Sequence, residues 1–100
     1  MSQVNPKVSK AEVDRLRREA GLELKRLREV RGMTQRELAN IVGFEYYTFI
    51  AQIEGGRGRL PPDRYESYAE ALDVPRQDFA RMMLRYYEPV TYELLFGEKP

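Results

Sequence analysis

Apolar residues recur along the chain at spacings of three and four, the pattern of amphipathic helices. The longest run spans residues 10–31, with its stripe at Val13, Leu16, Ala20, Leu24 and Leu27. Ser9 and Glu12 have the spacing of a capping box, so this helix is expected to start there and to end at Gly32. Gly21 lies inside the run and predicts a kink or a break, because glycine weakens a helix by ~1 kcal/mol relative to alanine.

A shorter helical pattern follows Thr34. Thr34 and Glu37 form a second capping pair, and Gly43 provides the left-handed backbone that ends a helix. The apolar stripe of this helix is expected at Leu38, Ala39, Ile41 and Val42.

A second short helix is predicted to end at Glu54. Its core face is expected to hold Phe49, Ile50 and Ile53. The residues that then face away are Tyr47, Thr48, Ala51 and Gln52. Since two helices joined by so short a turn meet at a steep angle, the outward face of the second one protrudes. A protruding helix fits the major groove of DNA.

The remaining chain predicts two more helices and a short extension. GGRGRLPP, residues 55–62, has the composition of a loop, and Pro61 or Pro62 can begin a helix that ends near Asp73. A fifth helix is expected from about Pro75 to Tyr87, with a core stripe at Phe79, Met82, Met83, Tyr86 and Tyr87. After Pro89, VTYELLFG predicts one or two further helical turns. The fold class is therefore all-α.

Composition excludes several kinds of chemistry. The chain has no Cys and no His, so it lacks the thiolate and imidazole groups that most metal sites and nucleophilic enzymes use. Its carboxylates show no pairing that suggests acid–base work, so we expect neither an enzyme nor a cofactor or metal. No apolar run approaches the ~20 residues of a membrane span, and the N-terminus lacks the apolar centre of a signal peptide. A cytoplasmic protein without a membrane partner is expected.

Charge is divided unevenly along the chain, although the net charge is only +1. Residues 1–60 contain twelve basic and eight acidic residues, a net charge of +4. Residues 61–100 contain five basic and eight acidic residues, a net charge of −3. The positive half coincides with the two short helices, which favours a nucleic-acid partner.

The stretch from Gly21 to Val74 resembles the Cro/cI-type helix-turn-helix regulators, also called the XRE family. The resemblance is carried by LKRLREVRGMTQRELANIVG, IAQIEGGRG and YAEALDV. It implies a five-helix, lambda-repressor-like domain that binds double-stranded DNA. Because the first helix of the family begins near Gly21, residues 10–20 extend it. They could provide a dimer contact, a phosphate-contacting arm or only a longer helix, and we favour the longer helix.

The resemblance also implies roles for individual residues. Gln35 matches a glutamine that binds a DNA phosphate, and Arg28 and Glu54 match a structural ion pair. The base-reading positions fall on Tyr47, Thr48 and Gln52, with Tyr46 at the usual helix cap. The set expected to contact the DNA backbone is Gln35, Arg36, Arg57 and Arg59.

The turn FEYY is one residue longer than the family pattern. If the additional residue lengthens the recognition helix, the base-reading set shifts by one and Tyr46 replaces Thr48 in importance. Glu45 also places a negative charge close to the expected phosphate position.

The predicted organisation is a flexible arm over residues 1–9, the helix-turn-helix domain over residues 10–88 and an extension over residues 89–100. The extension holds more large apolar groups than a finished domain leaves in water. They either fold back onto the fifth helix or meet a second subunit, and we favour the subunit because members of the family commonly dimerise. The expected dimer contact is Tyr87, Val90, Leu94, Leu95 and Phe96.

Two functions compete on these grounds. The first is a sequence-specific regulator of bacterial or phage type, associated with the nucleoid. As a homodimer it reads two half-sites ~34 Å apart, and we favour repression over activation. The second is a protein-interaction module of the same fold, such as an antitoxin-like partner, that works mainly through VTYELLFG and the Met/Tyr stripe.

Overall fold

Six α-helices form the protein in a computed structural model that describes residues 8–97. The helices are α1 (Lys10–Val30), α2 (Gln35–Val42), α3 (Thr48–Glu54), α4 (Tyr65–Leu72), α5 (Arg76–Tyr87) and α6 (Pro89–Phe96). A 3₁₀ turn over Pro62–Arg64 precedes α4. The all-α class, the extended first helix and the C-terminal helical extension are thereby confirmed. The predicted arm falls mostly on residues 1–7, and the end of the extension on residues 98–100, which lie outside the described residues.

Local capping interactions set the helix ends. Thr34 and Glu37 form both bonds of the predicted capping box: the Glu37 amide donates to Thr34 Oγ1 at 3.0 Å, and the Thr34 amide donates to Glu37 Oε1 at 2.8 Å. Gly43 ends α2 at φ 82°, where a side chain would be strained. At α1 the Glu12 amide donates to Ser9 Oγ at 3.1 Å, whereas the Glu12 carboxylate accepts from Arg15.

The sequence predicts a break or a kink at Gly21. The predicted break is wrong, since α1 is continuous through this residue. Gly21 is buried where α1 crosses the C-terminal end of α3. A Cβ at this position would collide with the Glu54 carbonyl and lie 2.7 Å from the Ile53 carbonyl oxygen. The glycine therefore serves close approach of two helices, and this contact fixes α3 against α1.

The core lies between α1 and the other helices of the domain. Its largest fully buried side chains are Leu24, Leu38, Ile50, Leu60, Tyr68, Phe79 and Met83. Two residues expected there are exposed, Ile41 by 58% and Phe49 by 45%. Both helices are short, and each buries only the narrow face that meets α1, α4 or the other helix of the motif. Ile41 and Phe49 lie beside that face, which corrects the sequence prediction.

Leu60 anchors the loop after α3, although its sequence reads as a solvated turn. Its side chain is fully buried, and its amide donates to the Tyr87 hydroxyl at 3.1 Å. Burial raises the pKa of Tyr87. Tyr87 is therefore a core residue of a single chain, which corrects its assignment to the dimer contact.

The C-terminal helix α6 packs on α5 but leaves large apolar side chains uncovered. Leu94 is 77% exposed and Leu95 is 64% exposed, and Phe96 is also exposed. Val90 is half-buried. Among residues 8–97, no helix has both the length and the apolar character needed to cross a membrane.

Candidate nucleic-acid interface

The helix-turn-helix consists of α2, a five-residue connection over residues 43–47, and α3. Tyr47 is the N-cap residue of α3, and its side chain makes no capping hydrogen bond. Since α3 begins at Thr48, Tyr46 and Tyr47 belong to the connection, and the longer sequence there does not extend the helix. The cap of α3 is thus Tyr47 and not Tyr46, which corrects the position that the resemblance implied.

A buried ion pair fixes the inner side of α3. Arg28 Nε donates to Glu54 Oε2 at 2.7 Å and its second guanidinium nitrogen donates to Glu54 Oε1 at 3.0 Å. The side chains are 8% and 3% exposed. The third nitrogen donates to the Met33 carbonyl at 2.7 Å, and the hydrogen bond to Glu54 raises the pKa of Arg28. The pair thus joins α1, the α1–α2 turn and the end of α3.

Gln35, the first residue of α2, is joined to the same ion pair. Its Nε2 donates to Glu54 Oε1 at 3.0 Å, and the residue is half-buried. Because a side-chain amide has two N–H groups, one remains for a phosphate oxygen. The ion pair therefore orients the Gln35 side chain, which is predicted to bind a phosphate, as well as α3.

The predicted base-reading residues lie together on the surface. Tyr46, Tyr47, Thr48 and Gln52 are all exposed. Thr48 and Gln52 are one helical turn apart, opposite the buried Ile50. The Arg36 guanidinium lies 4.2 Å from the centre of the Tyr47 ring, which brings a predicted backbone contact next to a predicted base contact.

The two arginines of the loop after α3 lie in different surroundings. Arg57 is exposed, its amide donates to the Gln52 carbonyl at 2.9 Å, and its guanidinium lies beside Gly55 at the end of α3. Arg59 instead pairs with Glu88 at 2.9 Å, with its guanidinium 4.8 Å from the Tyr87 ring centre. The structure therefore keeps Arg57 beside α3 and directs Arg59 to the α5–α6 junction.

The structure adds an aromatic cluster that the sequence interpretation missed. The ring centres of Phe44 and Phe49 are 5.7 Å apart, and those of Tyr46 and Phe49 are 6.2 Å apart. The Arg64 guanidinium covers the Phe44 ring at 5.2 Å and donates to the Val42 carbonyl at 2.9 Å. The signal available in the sequence was the run of aromatic residues in FEYYTF, which exceeds what a turn beside a small core can bury.

Comparison with known proteins agrees with this geometry. A family model described as a helix-turn-helix domain matches residues 19–82. A comparison with curated proteins gives no match. The matched segment covers well over half of the chain and includes α2, the connection and α3. The chain therefore belongs to the helix-turn-helix DNA-binding family of the Cro/cI (XRE) type.

Proposed function

We propose that the protein is a transcription regulator that binds a two-fold symmetric operator as a homodimer and represses by occluding the promoter. The observation that carries this proposal is the outward face of α3, whose polar residues are exposed. The opposite face is fixed by the Arg28–Glu54 pair and by the close contact at Gly21. A reading helix held in this way loses little conformational entropy when it binds DNA.

Gln52 and Thr48 are the proposed centre of base recognition. The amide nitrogen of a glutamine can donate a hydrogen bond to N7 of adenine, and the amide oxygen can accept one from the N6 amino group. The two bonds together make a bidentate contact. The threonine offers a hydroxyl and a methyl group, and Tyr46 and Tyr47 extend the surface toward the start of α3. Together they cover one end of a half-site.

The proposed contacts to the DNA backbone are Gln35, Arg36 and Arg57. Each lies at the edge of the motif, and the two arginines are exposed. Arg59 becomes a secondary contact, because it must first leave Glu88. Backbone contacts position the helix but carry no sequence information.

Replacing Gln52 and Arg57 separately distinguishes base reading from phosphate binding. We expect Gln52→Ala to lose ~1 to 3 kcal/mol of discrimination at one position of each half-site, with little change on random DNA. Arg57→Ala should weaken binding to all sequences and reduce the slope of log affinity against log salt by about one per subunit. Titrations of operator and random duplexes at several salt concentrations measure both effects.

Ile41→Ala is the matched control, because Ile41 is exposed on α2 and belongs to no proposed contact. It should leave affinity and salt slope unchanged. If both test variants lose affinity equally on operator and random DNA, Gln52 does not read a base.

The dimer is proposed to form through α6. Leu94, Leu95 and Phe96 give this helix an apolar surface that one described chain leaves in water. A second copy would cover this surface and bring two α3 helices into one complex, as two half-sites ~34 Å apart require.

Leu94→Glu tests this contact. A charge in the centre of an apolar interface should raise the dissociation constant of the dimer at least about tenfold, or ~1.4 kcal/mol. Sedimentation of the free protein and binding to full operators against single half-sites measure it. Leu22→Glu, on an exposed apolar residue of α1, is the control. An unchanged dimer in Leu94→Glu places the interface elsewhere.

A protein-interaction module remains the alternative, and the same exposed surface of α6 favours it. In that case a different protein covers the apolar surface of α6, as in an antitoxin-like complex. Copurification of a second protein in stoichiometric amount, with no retardation of DNA at low salt, would favour the module over the regulator.

A further inference from the structure

Phe49 is an exposed aromatic side chain on the helix that the proposed function assigns to base reading. It is 45% exposed, although an aromatic residue on a helix of this length usually packs into the core. The buried residues Ile50 and Ile53 define the inner side of α3. At 100° per residue Phe49 lies between that side and Gln52, so it borders the outward face.

The ring of Phe49 is held in place from behind. It contacts Phe44 and Tyr46, at centre separations of 5.7 Å and 6.2 Å. Arg64 lies over Phe44 and is itself bonded to the Val42 carbonyl. Because this chain of contacts runs to the backbone of α2, the exposed side of the Phe49 ring keeps a fixed position relative to the motif.

Phe49 and Gln52 also line one groove, of about 410 Å³, between α3 and the loop that leads into the 3₁₀ turn. Residues three apart on a helix have Cβ atoms about 5 to 6 Å apart. Base pairs in DNA are stacked about 3.4 Å apart. A base contact of Phe49 would therefore fall one or two base pairs from the pair that Gln52 contacts.

A phenyl ring forms no conventional hydrogen bond with a base edge, so it can read only an apolar group. The major groove presents one such group, the C5-methyl group of thymine. We propose that Phe49 is a specificity-determining residue that contacts a thymine methyl group in each half-site, within two base pairs of the pair read by Gln52. This inference rests on the proposed function and adds to it the chemistry of one operator position.

Replacement of thymine by deoxyuridine tests the proposal, because it removes only the methyl group and keeps every hydrogen bond of the base pair. The operator is first obtained by selection from random duplex DNA with the full chain. Each thymine of the half-site is then replaced in turn in both half-sites. We expect one position to lose affinity about fourfold per half-site, or about fifteenfold for the symmetric pair of replacements, as burial of one methyl group predicts.

Three variants assign the methyl contact to a side chain. In Phe49→Ala the deoxyuridine effect should fall below twofold, whereas in Phe49→Leu, which retains an apolar side chain, it should persist. Thr48→Ser removes the threonine methyl group from this face and should leave the effect intact. Ile41→Ala, on an exposed apolar residue of α2, should match the wild type.

The outcomes separate this inference from the proposed function. A selected operator without any methyl-sensitive position overturns the role of Phe49 and leaves the regulator proposal standing. A methyl effect that persists in Phe49→Ala and disappears in Thr48→Ser also overturns it, because Thr48 then makes the contact. Failure to select any preferred sequence overturns both the regulator proposal and this one.

Discussion

Replacement of Arg28 by alanine is expected to lower the free energy of unfolding by about 3 to 5 kcal/mol. The change leaves the Glu54 carboxylate buried without its bidentate partner and removes the donor to the Met33 carbonyl. A domain of this size has only about 5 to 15 kcal/mol of stability in total, so the change removes a large share of it. Chemical denaturation followed by circular dichroism measures the loss.

A surface ion pair on the same helix provides the control. Arg26 pairs with Glu23 at 2.6 Å, but the Arg26 side chain is largely exposed. Arg26→Ala should therefore cost less than about 1 kcal/mol. The double variant Arg28→Met/Glu54→Leu should be more stable than Arg28→Ala, since no buried charge remains. Equal and small losses in Arg28→Ala and Arg26→Ala would show that the buried pair does not hold α3.

Gly21→Ala should lower the free energy of unfolding by about 3 kcal/mol, the upper end of the usual cost of overpacking. Helix propensity alone predicts the opposite sign, a gain of ~1 kcal/mol for alanine in a helix interior. The structure decides between them, because the added Cβ would meet the backbone of Glu54 and Ile53, which cannot rotate away. The helices must separate instead, so affinity for DNA should fall as well.

Lys25 offers the matched comparison, because it is exposed on the same helix. The difference in unfolding free energy between Lys25→Ala and Lys25→Gly measures helix propensity alone. We expect it to be about 1 kcal/mol in favour of alanine. A Gly21→Ala protein that is more stable than the wild type would mean that α1 and α3 do not approach as closely as described.

Helix ends could be predicted from sequence because their causes are local. The Thr34–Glu37 capping box and Gly43 act within one turn of the backbone, and α2 begins and ends at the predicted residues. Of the two prolines predicted to begin the next helix, Pro62 begins a 3₁₀ turn, and α4 itself begins at Tyr65. Two capping predictions failed at least in part. At Ser9 only one bond of the box forms, because Arg15 competes for the Glu12 carboxylate, and at α3 the N-cap is Tyr47 and not Tyr46.

Burial in the short helices could not be predicted, because it depends on which neighbour each face meets. Phe49 and Ile41 have the apolar character of core residues, yet the core of the motif is filled by other side chains. Leu60 is the opposite case, because it lies in a segment with the composition of a loop and is nevertheless fully buried. Gly21 weakens a helix by propensity but serves a contact with α3 that only the fold reveals.

In the candidate site, too, some features could be predicted from the sequence and others could not. Exposure of Thr48 and Gln52 follows from the helical period, so pattern alone could predict it. The partners of Gln35 and Arg59 could not be predicted, since Glu54 and Glu88 are 19 and 29 residues away in the chain. Those long-range bonds decide that Gln35 is oriented by the ion pair and that Arg59 is directed away from α3.

Selection of bound sites from random duplex DNA, carried out in parallel with the wild type and with Gln52→Ala, tests most directly whether the outward face of α3 reads bases. We expect the wild type to enrich a two-fold symmetric sequence, and Gln52→Ala to enrich the same sequence with one position per half-site relaxed. If the wild type enriches no sequence, or if Gln52→Ala enriches an identical site with undiminished preference at every position, this face of α3 does not make the proposed contact.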